Sequence, residues 1–191
     1  MNSYDLAREF TDDNESILEL WQTLNRANTA AAETEARLAT VEALKATAHW
    51  YAQQGHPIFP CVPGEKRPAT THGFKDASLD PAQIEAWWTH IPTANIGLPT
   101  GHQFDVIDVD DVGALDQVIA FIRDGHIPTP TGLATTPRGY HVYIPATGLG
   151  NSTNVIPGVD YRGAGGYVLA APSRLTNGGK YRWSWTNLGA N

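Results

Sequence analysis

The residues with the clearest chemical potential are two aspartates, Asp108 and Asp110, in the apolar segment VIDVD. Side chains of a β-strand alternate between its two faces, so a strand here would project both carboxylates from one face. Ile107 and Val109 would then point into the core. Two neighbouring carboxylates repel each other, and a divalent cation would offset that repulsion. Oxygen ligands favour Mg²⁺ or Mn²⁺.

Spacing alone leaves a second interpretation of this pair open, in which the acids cap a helix beginning near Asp111 or lie on a solvated strand end. A third acid, Asp160, lies between apolar residues in GVDYRGAGGYVLAAPS, just before Arg162. Three carboxylates from two strands can hold two metal ions about 3.5–4 Å apart, the arrangement used for in-line nucleotidyl transfer. The other interpretation of Asp160 is a turn-forming aspartate that pairs with Arg162, and spacing does not decide between them.

Chemistry on a nucleotide also needs cations and hydrogen-bond donors for the triphosphate, and three segments offer them. TTPRGYHVY contains Arg138 and His141, and Gly139 between them allows close backbone approach. A strand histidine is more often structural, because a backbone carbonyl can satisfy neutral imidazole, but these neighbours favour a phosphate contact. VDYRG contributes Arg162. The loop PGEKRPATTHGFKD adds three further cations: Lys66, Arg67 and Lys75.

Composition limits the class of protein. The chain has 191 residues, 41% of them hydrophobic, which suffices for a domain with a sizeable core. Its 13 prolines and 18 glycines indicate many turns and argue against a helical bundle. With Cys61 as its one cysteine, it has no internal disulfide and no thiolate-rich zinc site, so we expect no zinc and a reducing, cytoplasmic compartment. No apolar stretch is long enough to span a membrane, and we expect no membrane partner.

The net charge of −7 at first argues against a nucleic-acid partner. Much of the negative charge lies in residues 1–54, however, and four more acids crowd into one short segment: Asp105, Asp108, Asp110 and Asp111. Divalent cations bound in that segment would make the working surface neutral or positive. Charge therefore leaves the question open.

The predicted helices and strands that position these residues begin with a helical region at the N-terminus. Residues 3–54 are predicted to be helical, with an N-cap at Ser3 or Asp5, a break in DDNES and a stop at Gly55. An apolar stripe runs along the second part of this region: Leu38, Val41, Leu44, Ala48 and Tyr51. DPAQIEAWWTHIP and DVGALDQVIAFIRDG are predicted helices, the first capped by Asp80 with Pro81 at its first position and the second stopped by Gly125.

HPIFPCVPG and FDVIDVD are predicted strands, and NIGLPTG a strand end followed by a loop. The later runs TGLATT, YHVYIPA, GVDYRG, GYVLAAPS and KYRWSW indicate an antiparallel second half. The fold class is therefore mixed α+β. Tyr181, Trp183 and Trp185 alternate along one strand and are predicted to share a face, which packs against the core or stacks nucleobases, with packing favoured.

From about residue 45 to 185 the chain resembles the bifunctional primase/polymerase (Prim-Pol) N-terminal domain of the archaeo-eukaryotic primase superfamily. The resemblance rests on seven motifs in consistent order: YAQQGHPIFPCVPGEKRPAT, HGFKDASLDPAQIEAWW, ANIGLPTG, VIDVD, TPRGYHVY, GVDYRGAGGYVLAAPS and YRW. It implies an RRM-like catalytic sheet packed beside a smaller α/β lobe. Residues 45–191 would form the catalytic domain, and residues 1–44 a helical N-terminal extension.

The resemblance also implies roles for individual residues. The family's metal-binding acids fall on Asp108, Asp110 and Asp160, which would be catalytic. Its small-x-His nucleotide-binding motif falls on Gly139, Tyr140 and His141, with glycine in place of serine. Together with the cations found above, the nucleotide-binding residues would be Lys66, Arg138, Gly139, His141 and Arg162.

These features predict a template-dependent nucleotidyltransferase that adds NTPs or dNTPs to a 3′-hydroxyl on single-stranded DNA, using two Mg²⁺ or Mn²⁺ ions. Members of the family occur in phages, plasmids and integrated elements, often fused to a helicase, so a helicase is an expected partner. The chain ends directly after a β-like run, which predicts part of a longer replication protein that extends primers without starting them.

Two alternatives remain open. A non-catalytic DNA-binding or replication-initiation module that recruits a helicase would fit the modest basic content. A metal-dependent phosphohydrolase would use the same acids to hydrolyse nucleotides without a template.

Overall fold

The computed structural model describes residues 33–186 and residue 188. The chain divides into two compact units, residues 1–41 and 42–191. In the first unit residues 33–41 are helical, and the hydroxyl of Thr40 donates to the carbonyl of Ala36. The predicted caps at Ser3 and Asp5 and the break in DDNES lie outside the described residues. Among the described residues, none of the helices has the length and apolar character needed to cross a membrane.

The helical assignment continues without a break to residue 53, and residues 42–53, which belong to the second unit, are called α1 here. The predicted apolar stripe is confirmed for the part of it in this unit, because Leu44, Ala48 and Tyr51 are buried. In the first unit Val41 is partly buried, whereas Leu38 is 56% exposed, so the stripe was predicted about one helical turn too long.

Two further helices, α2 (Pro81–His90) and α3 (Leu115–Arg123), follow in the second unit. The predicted start of α2 is confirmed: the Asp80 side chain accepts the N–H of Ala82, and Pro81 stands at the first position. A short 3-10 turn, Val112–Ala114, leads into α3, and Gly125 follows its end with a φ of +77°. A second such turn covers Gly73–Asp76.

The strands of the described chain form two sheets, in which all neighbouring strands run antiparallel. The smaller sheet has the order β1 (Phe59–Cys61), β2 (Asn95–Pro99) and β8 (Tyr167–Leu169). The larger sheet has the order β6 (Ser152–Ile156), β7 (Val159–Arg162), β3 (Phe104–Val109), β5 (Tyr140–Pro145), β4 (Gly132–Thr135) and β9 (Arg182–Thr186). The predicted mixed α+β class is confirmed.

Strand β3 lies inside the larger sheet and is buried along its whole length. Phe104 and Val106 pack on one side with a core that includes Tyr51 and Trp88. On the other side, a second core holds Ile107 and Val109 beside two strand residues and one residue of α3: Val142, Val159 and Val118. The predicted inward direction of Ile107 and Val109 is thus confirmed, and Asp108 points to the opposite side.

The prediction for the aromatic residues of β9 is wrong in part. The pairing of β4 with β9 shifts at a bulge, so that Trp183 lies opposite Ala134 and Trp185 opposite Leu133. Because Leu133 and Ala134 are consecutive and point to opposite faces, the two tryptophans do not share a face. Trp183 packs against the core, where its indole N–H donates to the Tyr51 hydroxyl at 2.8 Å, whereas Trp185 is 43% exposed.

Candidate active site

Three strands of the larger sheet bring Asp108, His141 and Asp160 into one row. Asp108 on β3 lies directly opposite His141 on β5 and, on its other side, directly opposite Asp160 on β7. Opposed residues of paired strands project their side chains to the same face of the sheet. Asp108 and His141 are buried, and Asp160 is partly exposed. The row therefore places two carboxylates and an imidazole side by side.

Asp108 is held by two basic side chains. Its Oδ1 lies 3.4 Å from Nε2 of His141, and its Oδ2 accepts from the Arg162 guanidinium at 3.2 Å. Burial acts to raise the pKa of Asp108, but the interactions with His141 and Arg162 outweigh burial and hold that pKa below its usual value. The Asp108 carboxylate is therefore charged at neutral pH.

Asp160 is bound by a backbone donor and by an arginine. Its Oδ1 accepts the N–H of Asn154 at 2.8 Å, and its Oδ2 accepts from Arg162 at 2.7 Å. Arg162 therefore bridges Asp108 and Asp160. The pairing of Asp160 with Arg162 was one of the two interpretations of the sequence, although Asp160 lies within β7 and not in a turn. Its position opposite Asp108 is what the other interpretation required.

The third acid, Asp110, follows the end of β3 and accepts from the Arg138 guanidinium at 2.6 Å. The helix cap beside it is made by Asp111, whose Oδ1 accepts the N–H of Gly113 at 2.9 Å. Neither Asp108 nor Asp110 caps a helix among the described elements, so the helix-capping interpretation of this pair is wrong.

Gly139 has a packing role at this end of the sheet. A Cβ added to it would overlap the carbonyl oxygen of Val109, so a larger residue would push β5 away from the end of β3. The close backbone approach anticipated at Gly139 is thus made by the protein itself. The N–H groups of Arg138 and Gly139 both donate to the hydroxyl of Thr136, which shapes the turn before β5.

Two cavities open beside the row. The first, of about 270 Å³, is lined by cations, glycines, aromatic rings and an amide; its lining includes Lys66, Arg162, Gly165, Gly166, Phe74, Tyr167 and Asn151. The second, of about 300 Å³, includes Asp110, Thr136, Arg138 and Asn177. Four residues line both cavities: Lys66, Asp108, His141 and Tyr181. Of the three cations proposed in the GEKRP loop region, only Lys66 lines either cavity.

A buried asparagine holds the loop that carries Lys66. The side-chain amide of Asn95, on β2, donates to the carbonyls of Glu65 and Arg174 at 3.0 and 2.7 Å. Its Oδ1 accepts the N–H of Arg174 at 2.9 Å. Asn95 thereby joins two loops that line the cavities. Sequence reasoning missed it, although a lone amide at the start of the apolar run NIGLP was a usable signal.

Within the described part of the chain, His141 has no backbone carbonyl partner of the kind that a purely structural histidine would use. Its Nε2 faces Asp108, while its buried Nδ1 has no hydrogen-bond partner among the described residues. Its ring packs against Tyr181 at 5.5 Å between centroids. Burial, together with the charges of Asp108 and Asp110, raises the pKa of Tyr181 to about 12, so its hydroxyl keeps its proton at neutral pH.

In the part of the chain that the structure describes, no three Asp, Glu, His or Cys side chains converge as a ready-made metal site. The three acids are paired with Arg138 and Arg162 instead. Their donor chemistry nevertheless fits a hard divalent cation, because all three offer carboxylate oxygens and two of them come from directly opposed strand positions.

Residues 48–188 match the model of a protein family described as the N-terminal domain of bifunctional DNA primase/polymerases (Prim-Pol). The matched range includes the whole row, Asp110, and the arginines and lysine around them. No curated protein matches the chain.

Proposed function

The chain belongs to the bifunctional DNA primase/polymerase (Prim-Pol) N-terminal family, and from this premise we propose that it is a template-dependent nucleotidyltransferase. It would add NTPs or dNTPs to a 3′-hydroxyl on single-stranded DNA. The observation that carries the proposal is the opposition of Asp108 and Asp160 on neighbouring strands, with Asp110 two residues beyond Asp108 and lining a cavity that Asp108 also lines.

We propose that Asp108, Asp110 and Asp160 hold two Mg²⁺ or Mn²⁺ ions. Such ions, when bound, favour loss of the 3′-hydroxyl proton and stabilise the charge that develops on the leaving pyrophosphate. The lowered pKa of Asp108 supports this role, since a carboxylate that is ionised at neutral pH needs no proton removed before it binds a cation.

The cations around the first cavity suit the triphosphate. Lys66 and Arg162 line it beside the backbone of Gly165 and Gly166, and charge-assisted hydrogen bonds from such groups bind phosphate oxygens strongly. In the second cavity, Arg138 stands beside Asp110, where it would contact a phosphate of the primer or the nucleotide. His141, which lines both cavities, would support Asp108 from one side and contact the nucleotide.

The setting of this activity is also part of the proposal. Residues 45–191 would form the catalytic domain and residues 1–44 a helical extension, within a longer replication protein of a phage or plasmid that works in the host cytoplasm. A helicase, fused or associated, would be its partner.

One observation favours a second candidate. All three acids are already paired with arginines, as they would be in a domain that binds no metal. The domain would then bind DNA and recruit a helicase without catalysis.

Primer extension on single-stranded DNA, in Mg²⁺ and in Mn²⁺ and with labelled NTPs or dNTPs, separates these candidates. Asp108→Asn should lower the rate at least about 1,000-fold, because the carboxylate that would hold the ions is gone. Asp116→Asn is the matched control, since Asp116 is exposed on α3 and should retain full activity.

Circular dichroism of both variants checks that they are folded. Undiminished synthesis by Asp108→Asn would contradict the proposal. Tight DNA binding by the unchanged protein with no synthesis, and no stabilisation by either ion, would favour the non-catalytic module. Nucleotide hydrolysis without a template would indicate a phosphohydrolase.

A further inference from the structure

We infer that Arg162 is an internal counterion that occupies the carboxylates of Asp108 and Asp160 until a divalent cation displaces it. The inference rests on the proposed function, because it assigns the metal to these acids. It adds a competition within the protein that would set how tightly the metal binds.

Every carboxylate oxygen of the two acids already has a protein partner. His141 lies at Oδ1 of Asp108, and the N–H of Asn154 donates to Oδ1 of Asp160. The same terminal nitrogen of Arg162, Nη2, donates to Oδ2 of Asp108 and to Oδ2 of Asp160. Nη2 of Arg162 therefore lies between the two Oδ2 atoms, where a cation that bridges the acids through these oxygens would also have to lie.

Arg162 is the donor best able to leave. His141 is 4% exposed and packed against Tyr181, and the Asn154 donor belongs to the backbone. The Arg162 side chain, by contrast, is 28% exposed and sits on a long flexible stem. A divalent cation and a guanidinium also repel each other at contact distance, so both cannot occupy the same pair of oxygens.

The displaced guanidinium can move into a neighbouring cavity. Arg162 lines the first cavity together with Lys66, Gly165 and Gly166. An arginine released into this cavity would meet the triphosphate. Metal binding and nucleotide binding would then favour each other, because one event frees the group that the other needs.

Mn²⁺ binding, followed by electron paramagnetic resonance or calorimetry without nucleotide or DNA, tests the displacement directly. Arg162→Gln should bind Mn²⁺ about five- to tenfold more tightly than the unchanged protein, since no guanidinium competes. In EDTA the same variant should melt at a lower temperature, because the opposed acids then repel each other unscreened. Mn²⁺ should raise its melting temperature by more than it raises that of the unchanged protein.

Two further variants sharpen the test. Arg123→Gln removes an arginine of the same charge, the last residue of α3, which pairs with the adjacent Asp124, and should leave Mn²⁺ affinity unchanged. Arg162→Lys keeps the charge without the planar guanidinium. Its Mn²⁺ affinity should fall between that of the unchanged protein and that of Arg162→Gln. This variant also serves if Arg162→Gln does not fold.

Mn²⁺ affinity of Arg162→Gln equal to or weaker than that of the unchanged protein would overturn the inference while leaving the proposed function standing. Equal Mn²⁺ affinity of Arg162→Lys and Arg162→Gln would also overturn it, because a cationic side chain kept at this position would then not compete with the metal. If no form binds Mn²⁺, both the inference and the proposed metal site are wrong.

Discussion

Asn154 donates its backbone N–H to Oδ1 of Asp160 over 2.8 Å, from a left-handed backbone conformation with a φ of +54°. The pairing of β6 with β7 shifts between Ser152 and Ile156, so several residues of β6 face a short stretch of β7. Such an irregularity redirects backbone groups away from the regular ladder. Here it supplies a donor to an acid of the candidate site.

The first prediction concerns this strained position. Asn154→Gly should leave the free energy of unfolding within about 0.5 kcal/mol, because glycine adopts positive φ readily. Asn154→Val should lower it by about 1–2 kcal/mol and reduce primer extension, since a β-branched residue disfavours this conformation and would turn the N–H from Asp160. Urea unfolding measures the difference. Ser152→Val, exposed on the same strand, is the control, and equal stability of the two Asn154 variants would refute the argument.

A second prediction separates two lysines. Lys66 lines both cavities, whereas Lys75 is exposed and lines neither. Lys66→Ala should therefore raise the KM for the nucleotide about tenfold, the loss of roughly one charge-assisted contact to phosphate. Lys75→Ala removes the same charge and should change KM by less than about twofold, which allows for long-range charge effects. Steady-state kinetics at varied nucleotide concentration decides, and equal effects of both changes would count against a local role for Lys66.

A third prediction concerns Asp105, one of the four acids crowded into this segment. It points to the side of β3 opposite Asp108 and is fully buried, and its Oδ2 accepts the N–H and the hydroxyl of Thr147 at 2.7 and 2.9 Å. The hydroxyl of Tyr161 also donates to this oxygen. Asp105→Ala should lower the free energy of unfolding by about 2–4 kcal/mol, because three donors lose their acceptor.

Thr147→Val provides the comparison for Asp105, since it removes one side-chain donor and keeps the backbone donor; its cost should be about 1 kcal/mol. Denaturant unfolding measures both. Folded Asp105→Ala should keep normal Mn²⁺ binding, and a loss of metal affinity at full stability would show that Asp105 belongs to the site after all.

The fourth prediction uses the chain's one cysteine. Burial raises the pKa of the Cys61 thiol to about 12, so at pH 8 only a fraction on the order of 10⁻⁴ is thiolate. Ellman's reagent should therefore react slowly with the native protein and rapidly in denaturant. The rise in absorbance as the reagent reacts with Cys61 would report unfolding of the smaller sheet, to which Cys61 belongs. Fast stoichiometric labelling in native buffer would be incompatible with a buried thiol.

Alternation along a strand is the part of the site that could be predicted. It placed Ile107 and Val109 in the core and Asp108 on the other side, and residue type located the cap at Asp80. Register is not encoded in this way, because the residues that lie opposite each other are distant in sequence. The sequence could not show that Asp108 faces both His141 and Asp160, nor that Arg162 joins two acids.

Irregular structure also escaped prediction. Strand β6 was missed because STNVI shows little alternation and its residues are largely exposed. The bulge opposite Leu133 and Ala134 places Trp185 on the face opposite to the predicted one, and the local sequence pattern does not predict this bulge. The two-loop contact made by Asn95 depends on Arg174, far along the chain. Each of these features depends on tertiary contacts more than on local preference.

The central place of β3 in the larger sheet has a consequence for how the protein folds. Asp108 gains its neighbours only after β3 has paired with β5 on one side and with β7 on the other, and these pairings join distant parts of the chain. Non-local pairings of this kind form late, because the loops between them must close first. A partly folded chain that contains only the β4–β5 hairpin therefore has no assembled site. During refolding, primer extension would therefore return only once β3 has paired with both β5 and β7, and not at the initial collapse.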